Sequence, residues 1–161
     1  MHLCTYAHAH LLSSPCLRLL FPSLTSCSPT DTPMHAQSDA DDDERFLKAC
    51  KENDLPTAKR LVTPQRVRRA DEDGWQPLHW ACVYGHLEVA KWLHTQGVDL
   101  NAKTNNGSTP LHYACMVGQL EVVKWLHTQG VDLNAKDTFG STPLHYACMK
   151  GHLEVAQWLH T

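Results

Sequence analysis

The chain has 161 residues, of which 42% are hydrophobic and 19% charged, and a formal net charge of -3. That length holds one domain, or one domain with a tail. The slight acidity gives no overall case for nucleic-acid binding, and no apolar run approaches the roughly 20 residues of a membrane-spanning helix.

Residues 1–38 are rich in Ser, Leu, His and Pro, hold no acid before Asp31, and show no sustained helical or strand period. They read as a disordered leader. A secretory signal fits poorly, because Arg18 interrupts the apolar run Leu17 to Phe21 and the amino end lacks a basic cluster. A mitochondrial transit peptide shares the lack of acids but should carry more arginines than Arg18 alone. The stretch Met34-His35-Ala36-Gln37-Ser38 leads into Asp39, Asp41, Asp42, Asp43 and Glu44, just ahead of Phe46 and Leu47. Acids in a first turn complement the helix dipole, so this run reads as a helix start. The working protein is then expected to begin at Met34, with residues 1–33 unneeded; the intact mass of the native protein decides this.

Beyond residue 73 a 33-residue period dominates. Gly74-Trp75-Gln76-Pro77-Leu78-His79-Trp80-Ala81-Cys82 returns at Gly107 to Cys115 and again at Gly140 to Cys148. A fixed period of this size marks one supersecondary unit stacked on copies of itself. In each unit Thr109 or Thr142 can cap a short helix whose first residue is Pro110 or Pro143. Leu111, Ala114 and Cys115 form its narrow apolar stripe, and Gly85, Gly118 and Gly151 end it. A second helix follows, as in Leu120 to His127, with Glu121 in its first turn and Gly130 at its end. One such pair cannot bury its own apolar face, whereas stacked neighbours can.

Gly-x-Thr-Pro-Leu-His-x-Ala, Gly-His-Leu-Glu-Val and Gly-Val-Asp-Leu-Asn-Ala together resemble the ankyrin repeat, in three successive units over residues 74–161. The resemblance implies an all-α solenoid of helix–turn–helix units joined by β-hairpin-like fingers. The expected organisation is a leader over 1–38 and a repeat domain over 39–161. Within that domain a degenerate capping unit, 39–73, precedes the units 74–106, 107–139 and 140–161. In the capping unit, residues 46–55 overlay 78–87, Asn53 takes the helix-ending glycine position and Pro56 opens the second helix. Four departures stand out. Gln76 replaces the capping Thr, which weakens that cap by about 1 kcal/mol. Thr104 replaces an Asp that Asp71 and Asp137 keep, Gln119 replaces a His, and Trp92, Trp125 and Trp158 replace a core leucine. Val155, Trp158 and Leu159 look internal rather than like a polar cap, so that end is expected to belong to a longer array or to be covered by a partner or a second copy.

The repeat also explains residues that would otherwise suggest chemistry. Cys50, Cys82, Cys115 and Cys148 share one address. Equivalent atoms of packed helices lie about 8–10 Å apart, beyond the roughly 7 Å reach of a disulfide. They read as small buried thiols of a reducing compartment, the cytoplasm or the nucleus. Eight of twelve histidines have repeat addresses and none forms a zinc-type spacing. The family resemblance gives His79, His112 and His145 the role of tying adjacent units together. No catalytic residue, metal or cofactor is expected, and Arg66, Arg68 and Arg69 read as a connection neutralised by Asp71, Glu72 and Asp73.

Function then falls to positions that vary between units or carry exposed aromatics. The resemblance places partner contacts at finger tips and at exposed positions of the first helices. In the first full unit these are Glu72, Asp73, Trp75, Trp80, Val83 and Tyr84. In the second they are Asn105, Asn106, Ser108, Tyr113, Met116 and Val117, and in the third Thr138, Phe139, Ser141, Tyr146, Met149 and Lys150. Trp80, Tyr113 and Tyr146 share an address and are expected to form an exposed aromatic ladder on a concave face. The expected role is protein–protein interaction without catalysis, with no nucleic acid and no membrane insertion. The alternative is a targeting arm of a longer protein that carries an enzyme or channel.

Overall fold

The computed structural model describes residues 34–160, with side chains from residue 39 onward. The leader proposed for residues 1–33 lies outside the described residues. His35–Thr161 make up one compact unit, in which the described residues contain helices and turns but no strand. The helices are α1 Met34–Lys51, α2 Leu55–Leu61, α3 Pro77–Val83, α4 Leu87–Thr95, α5 Pro110–Met116, α6 Leu120–Thr128, α7 Pro143–Lys150 and α8 Leu153–His160, with a single 3-10 turn at Arg66–Arg68. First helices stack on first helices, α3 on α5 and α5 on α7, while α6 meets α8.

Stacking turns repeat addresses into core columns. Leu78 with Leu111, Cys82 with Cys115, Val89 with Val122 and Val155, and Leu93 with Leu126 are all fully buried. Each large aliphatic side chain removed from water contributes about 2 kcal/mol, and a single helix pair could bury only half of them. Phe46, Cys50, Ala58 and Val67 continue the core into the first unit. There Asn53 adopts a left-handed φ of 60°, as its glycine-like position requires. Asp54 caps α2 by accepting the Thr57 N–H at 3.1 Å. The tryptophans at the leucine address find ring partners one unit back: Phe46 meets Trp92, His94 meets Trp125 edge-on, and His127 meets Trp158 edge-on.

Two readings of the first unit need correction. Helix α1 begins at Met34 and not at the acidic run, so the acids sit in its middle rather than its first turn. Their role is tertiary. Asp43 accepts a 2.6 Å hydrogen bond from the Arg66 Nε and pairs with Arg69, and Arg66 also donates to the Leu61 carbonyl at 2.8 Å. With 12% of the Arg66 side chain and 19% of the Asp43 side chain exposed, this is a largely buried clamp fastening α1 to the turn at Arg66–Arg68. Arg68 reaches the Gly97 carbonyl at 3.2 Å. Arg66 and Arg69 are therefore neutralised by α1, and not by Asp71, Glu72 and Asp73, while Arg68 is turned to a backbone carbonyl.

The hairpin-like fingers close on two backbone hydrogen bonds each: Asp71 N–H to the Trp75 carbonyl with Gly74 N–H to the Asp71 carbonyl, and likewise Thr104 with Ser108 and Gly107, and Asp137 with Ser141 and Gly140. Adjacent fingers are joined by the Asn105 N–H to the Asp73 carbonyl and the Thr138 N–H to the Asn106 carbonyl, both at 3.0 Å. Asp71 and Asp137 each accept two further backbone N–H groups inside their own finger. Thr104, a hydroxyl in place of a carboxylate, donates instead to the Ser108 carbonyl and meets the Tyr113 hydroxyl at 3.1 Å.

Candidate protein-interaction surface

The histidine of each first helix sets the surface in place. His79 Nδ1 accepts the Gln76 N–H at 3.0 Å, which fixes the ring proton on Nε2, and Nε2 donates to the Ala102 carbonyl at 3.1 Å. One ring thus caps its own helix and holds the next connection. His112 repeats this with the Thr109 N–H and the Ser141 carbonyl. The expected weakening of this cap is not seen: the Gln76 side chain faces the His79 N–H while His79 accepts the Gln76 N–H, the same reciprocal arrangement that Thr109 and Thr142 make. Burial is the main reason that His79 is held down to about 4 and His112 below the ordinary imidazole value. The second-helix entrances use an analogous device. His86 Nε2 donates to the Lys51 carbonyl at 2.8 Å, Gln119 Nε2 to that of Val83 at 3.2 Å, and His152 Nε2 to that of Met116 at 3.0 Å. Gln119 therefore keeps the donor that its histidine counterparts supply.

Most of the expected contact residues are accessible. Glu72, Asp73, Tyr84, Asn105, Asn106, Val117, Thr138, Phe139, Met149 and Lys150 are exposed, and Trp75, Trp80, Val83, Met116, Ser141 and Tyr146 are half-buried. Two expectations of exposure fail. Tyr113 is 8% exposed, pinned between the Trp75 ring at 4.1 Å and the His79 edge, with its hydroxyl on Thr104. Ser108 is 4% exposed and hydrogen-bonds towards Tyr146. Tyr146 is likewise engaged: it donates to Asp137 at 2.7 Å and meets His112 edge-on. This bond to Asp137 is the first cause of its raised phenol pKa. The tyrosines of the ladder brace fingers against helices. Three accessible aromatics cluster at the first full unit, where Trp80 contacts Trp75 at 4.5 Å and stacks near Tyr84 at 6.3 Å, while Phe139 lies at the finger of Asp137. Lys51 lies 3.8 Å above the Trp80 ring, a cation–π contact that neither the period nor any motif announces.

The third unit presents a second apolar area. Several of its members occupy addresses that are more covered elsewhere: Cys148 is exposed where Cys82 and Cys115 are buried, His145 where His79 and His112 are buried, and Leu153 where Leu87 and Leu120 are half-buried. Leu153 is 71% exposed, Phe139 78% and Met149 66%. The expectation of a dry thiol column thus holds for Cys50, Cys82 and Cys115 but not for Cys148, which lacks a following unit over it among the described residues. Burial pushes the Cys50 and Cys115 thiols up to about 12 and raises that of Cys82 as well, which keeps them protonated and inert.

A family model for ankyrin repeats in three copies matches residues 5–104, 46–137 and 94–161. The chain belongs to the ankyrin-repeat family. Among curated proteins this ankyrin array is 39% identical to human ankyrin repeat domain-containing protein 49 over 61 residues, 37% of this chain and 26% of that protein. It is 36% identical to the palmitoyltransferase AKR1 of Naumovozyma castellii over 64 residues, 38% of this chain and 8% of the enzyme. It is 39% identical to mouse protein phosphatase 1 regulatory subunit 27 over 41 residues, 26% of this chain and 27% of that protein. The matches therefore span about a quarter or less of these relatives. An array of this family serves protein–protein interaction and is not catalytic in itself. No helix among the described residues is long and apolar enough to cross a membrane.

Proposed function

We propose that the ankyrin array captures a protein partner on the finger-side surface of its first helices, with Trp80 and Tyr84 as principal anchors. Val83, Met116 and Val117 extend the surface, and the finger residues Glu72, Asp73, Asn105, Asn106 and Thr138 rim it. The observation that carries this reading is the accessible aromatic group at α3, held on a scaffold whose helix starts and fingers are already hydrogen-bonded. Such a surface loses little conformational entropy on binding. Trp80→Ala together with Tyr84→Ala is expected to weaken capture of cellular partners by roughly a thousandfold, at about 2 kcal/mol per aromatic anchor. Pull-down with the whole chain and quantitative mass spectrometry reads this, with helix content by circular dichroism as control. Capture unchanged in the double variant would remove these anchors. Tyr113→Ala is unsuitable for the purpose, because it strips a buried brace.

The exposed His145, Cys148, Met149 and Leu153 support self-association through that face, since each has equivalents that are at least half-covered elsewhere in the array. Sedimentation velocity is expected to show concentration-dependent association that Leu153→Glu with Met149→Glu abolishes. A wild-type chain that stays monomeric at tens of micromolar sinks this idea. The resemblance to a repeat segment of a palmitoyltransferase supports a second reading, an arm that targets a longer protein. Transcript sequencing past residue 161 distinguishes the two. Buried, protonated thiols support residence in a reducing compartment, the cytoplasm or the nucleus.

A further inference from the structure

Between α1 and the first finger lies a cavity of about 260 Å³. Phe46, Leu47, Trp75 and Pro77 give it apolar walls. Phe46 and Pro77 are buried and Trp75 is wedged against Trp80 and Tyr113, so the walls are held in place without a ligand. The charged groups around it are unequal in availability. Arg66 and Arg69 are both engaged by Asp43. Glu44 is exposed and enters no ion pair among the described residues, and Asp71 uses only its Oδ1 for the finger turn. Across residues 39–45 and 66–73 the chain places eight carboxylates against four arginines. Of those arginines, Arg45 is paired with Asp42 and Arg68 is turned to the Gly97 carbonyl. The field at the cavity is therefore negative, while its walls are hydrocarbon and indole.

We infer that this cavity seats a lysine or arginine side chain from a basic segment of a protein partner, its stem against Phe46, Leu47 and Pro77 and its cation beside Glu44 and Asp71. Long cationic side chains bury their methylenes and keep the charged head at a polar rim. An acidic anchor would meet the surplus of carboxylates, and a purely apolar one would leave Glu44 and Asp71 uncompensated. The Trp75 indole lines the cavity, and the same fold already holds the Lys51 ammonium over the Trp80 ring. The inference rests on the reading of the chain as an interaction module and names the chemistry of one partner anchor.

Fluorescence anisotropy with the whole chain tests it, using a fluorescein-labelled octapeptide of alternating lysine and serine and its glutamate–serine counterpart. The lysine peptide is expected to bind, more weakly at 300 than at 50 mM salt (about 6 and 14 Å screening lengths), and the glutamate peptide not to bind. Glu44→Lys is expected to weaken the lysine peptide at least tenfold. Ala70→Trp, which fills the cavity from an exposed position, should do the same. Should Ala70→Trp lose helix signal, Ala40→Phe fills it from the α1 side. Tyr84→Ala, which touches no residue of the cavity wall, is expected to leave this affinity within twofold, so the cavity and the first-helix surface fail separately. Full binding to the cavity-filled variants, binding of the glutamate peptide, binding of neither peptide, or loss confined to the Tyr84 variant would each overturn the inference.

Discussion

His79→Ala is expected to lower the unfolding free energy by about 3–4 kcal/mol, one of the largest losses available to a single substitution in this chain. The ring is fully buried and bonded at both nitrogens. Its removal orphans the Gln76 N–H and the Ala102 carbonyl, each at about 1 kcal/mol or more, and leaves a void between the first helix and the next connection. His145→Ala makes the same chemical change at the same repeat address but on an exposed ring, and is expected to cost less than 1 kcal/mol. Urea unfolding of the two variants measures the contrast. Equal losses would mean that the histidines act through helix capping alone, which all three perform, and not through the tie to the following unit.

Mild acid should destabilise the array. His79 ionises near 4 when folded and near 6.5 when unfolded. Between those values the unfolded chain binds a proton that the folded state excludes, so stability present at neutral pH declines as pH falls from 6.5 towards 4. His112 is shifted in the same direction and adds to the loss. For His79 alone the full change is on the order of 3 kcal/mol. Chemical denaturation at pH 7.5, 6.0, 5.0 and 4.5 reads the slope, which should flatten in His79→Gln. A profile flat from 7.5 to 4.5 would show that the imidazoles titrate alike in both states.

Where the repeat supplies both partners of a contact, the sequence was legible. Pro77, Pro110 and Pro143 mark the first-helix starts, and Gly85, Gly118 and Gly151 follow their ends. Asn53 stands in for glycine in the unit before them. What remained hidden depends on neighbours that the period does not supply. The clamp between Asp43 and Arg66 joins residues 23 apart in a non-repeating stretch, and Lys51 meets Trp80 across a boundary between unlike units. Tyr113 differs from Tyr146 in burial because Trp75 of the preceding unit lies over it, whereas Ser108 holds the corresponding place before Tyr146. Cys148 and His145 depart from their columns for another reason, since their addresses are buried where a following unit covers them. For the candidate surface, identity of address located Trp80 correctly on the first helix but could not tell an anchor from a brace.

The glycines that end the first helices carry an implication for how such a chain can lengthen. A methyl group on Gly85 would stand 2.4 Å from the Gln119 amide oxygen, and one on Gly118 would stand 2.6 Å from the His152 ring, while nothing lies within 4 Å of Gly151. Gly85 and Gly118 are thus seats for a side chain of the following unit, and the two halves of each seat lie 34 residues apart, one more than a period. Copying 33 residues in tandem, from whatever starting point within the array, reproduces both halves together. Copying 30 or 36 parts the seat that spans the junction from its occupant. The gene can gain or lose whole periods without new packing having to be found, and is barred from intermediate lengths by two atoms that cannot share one place.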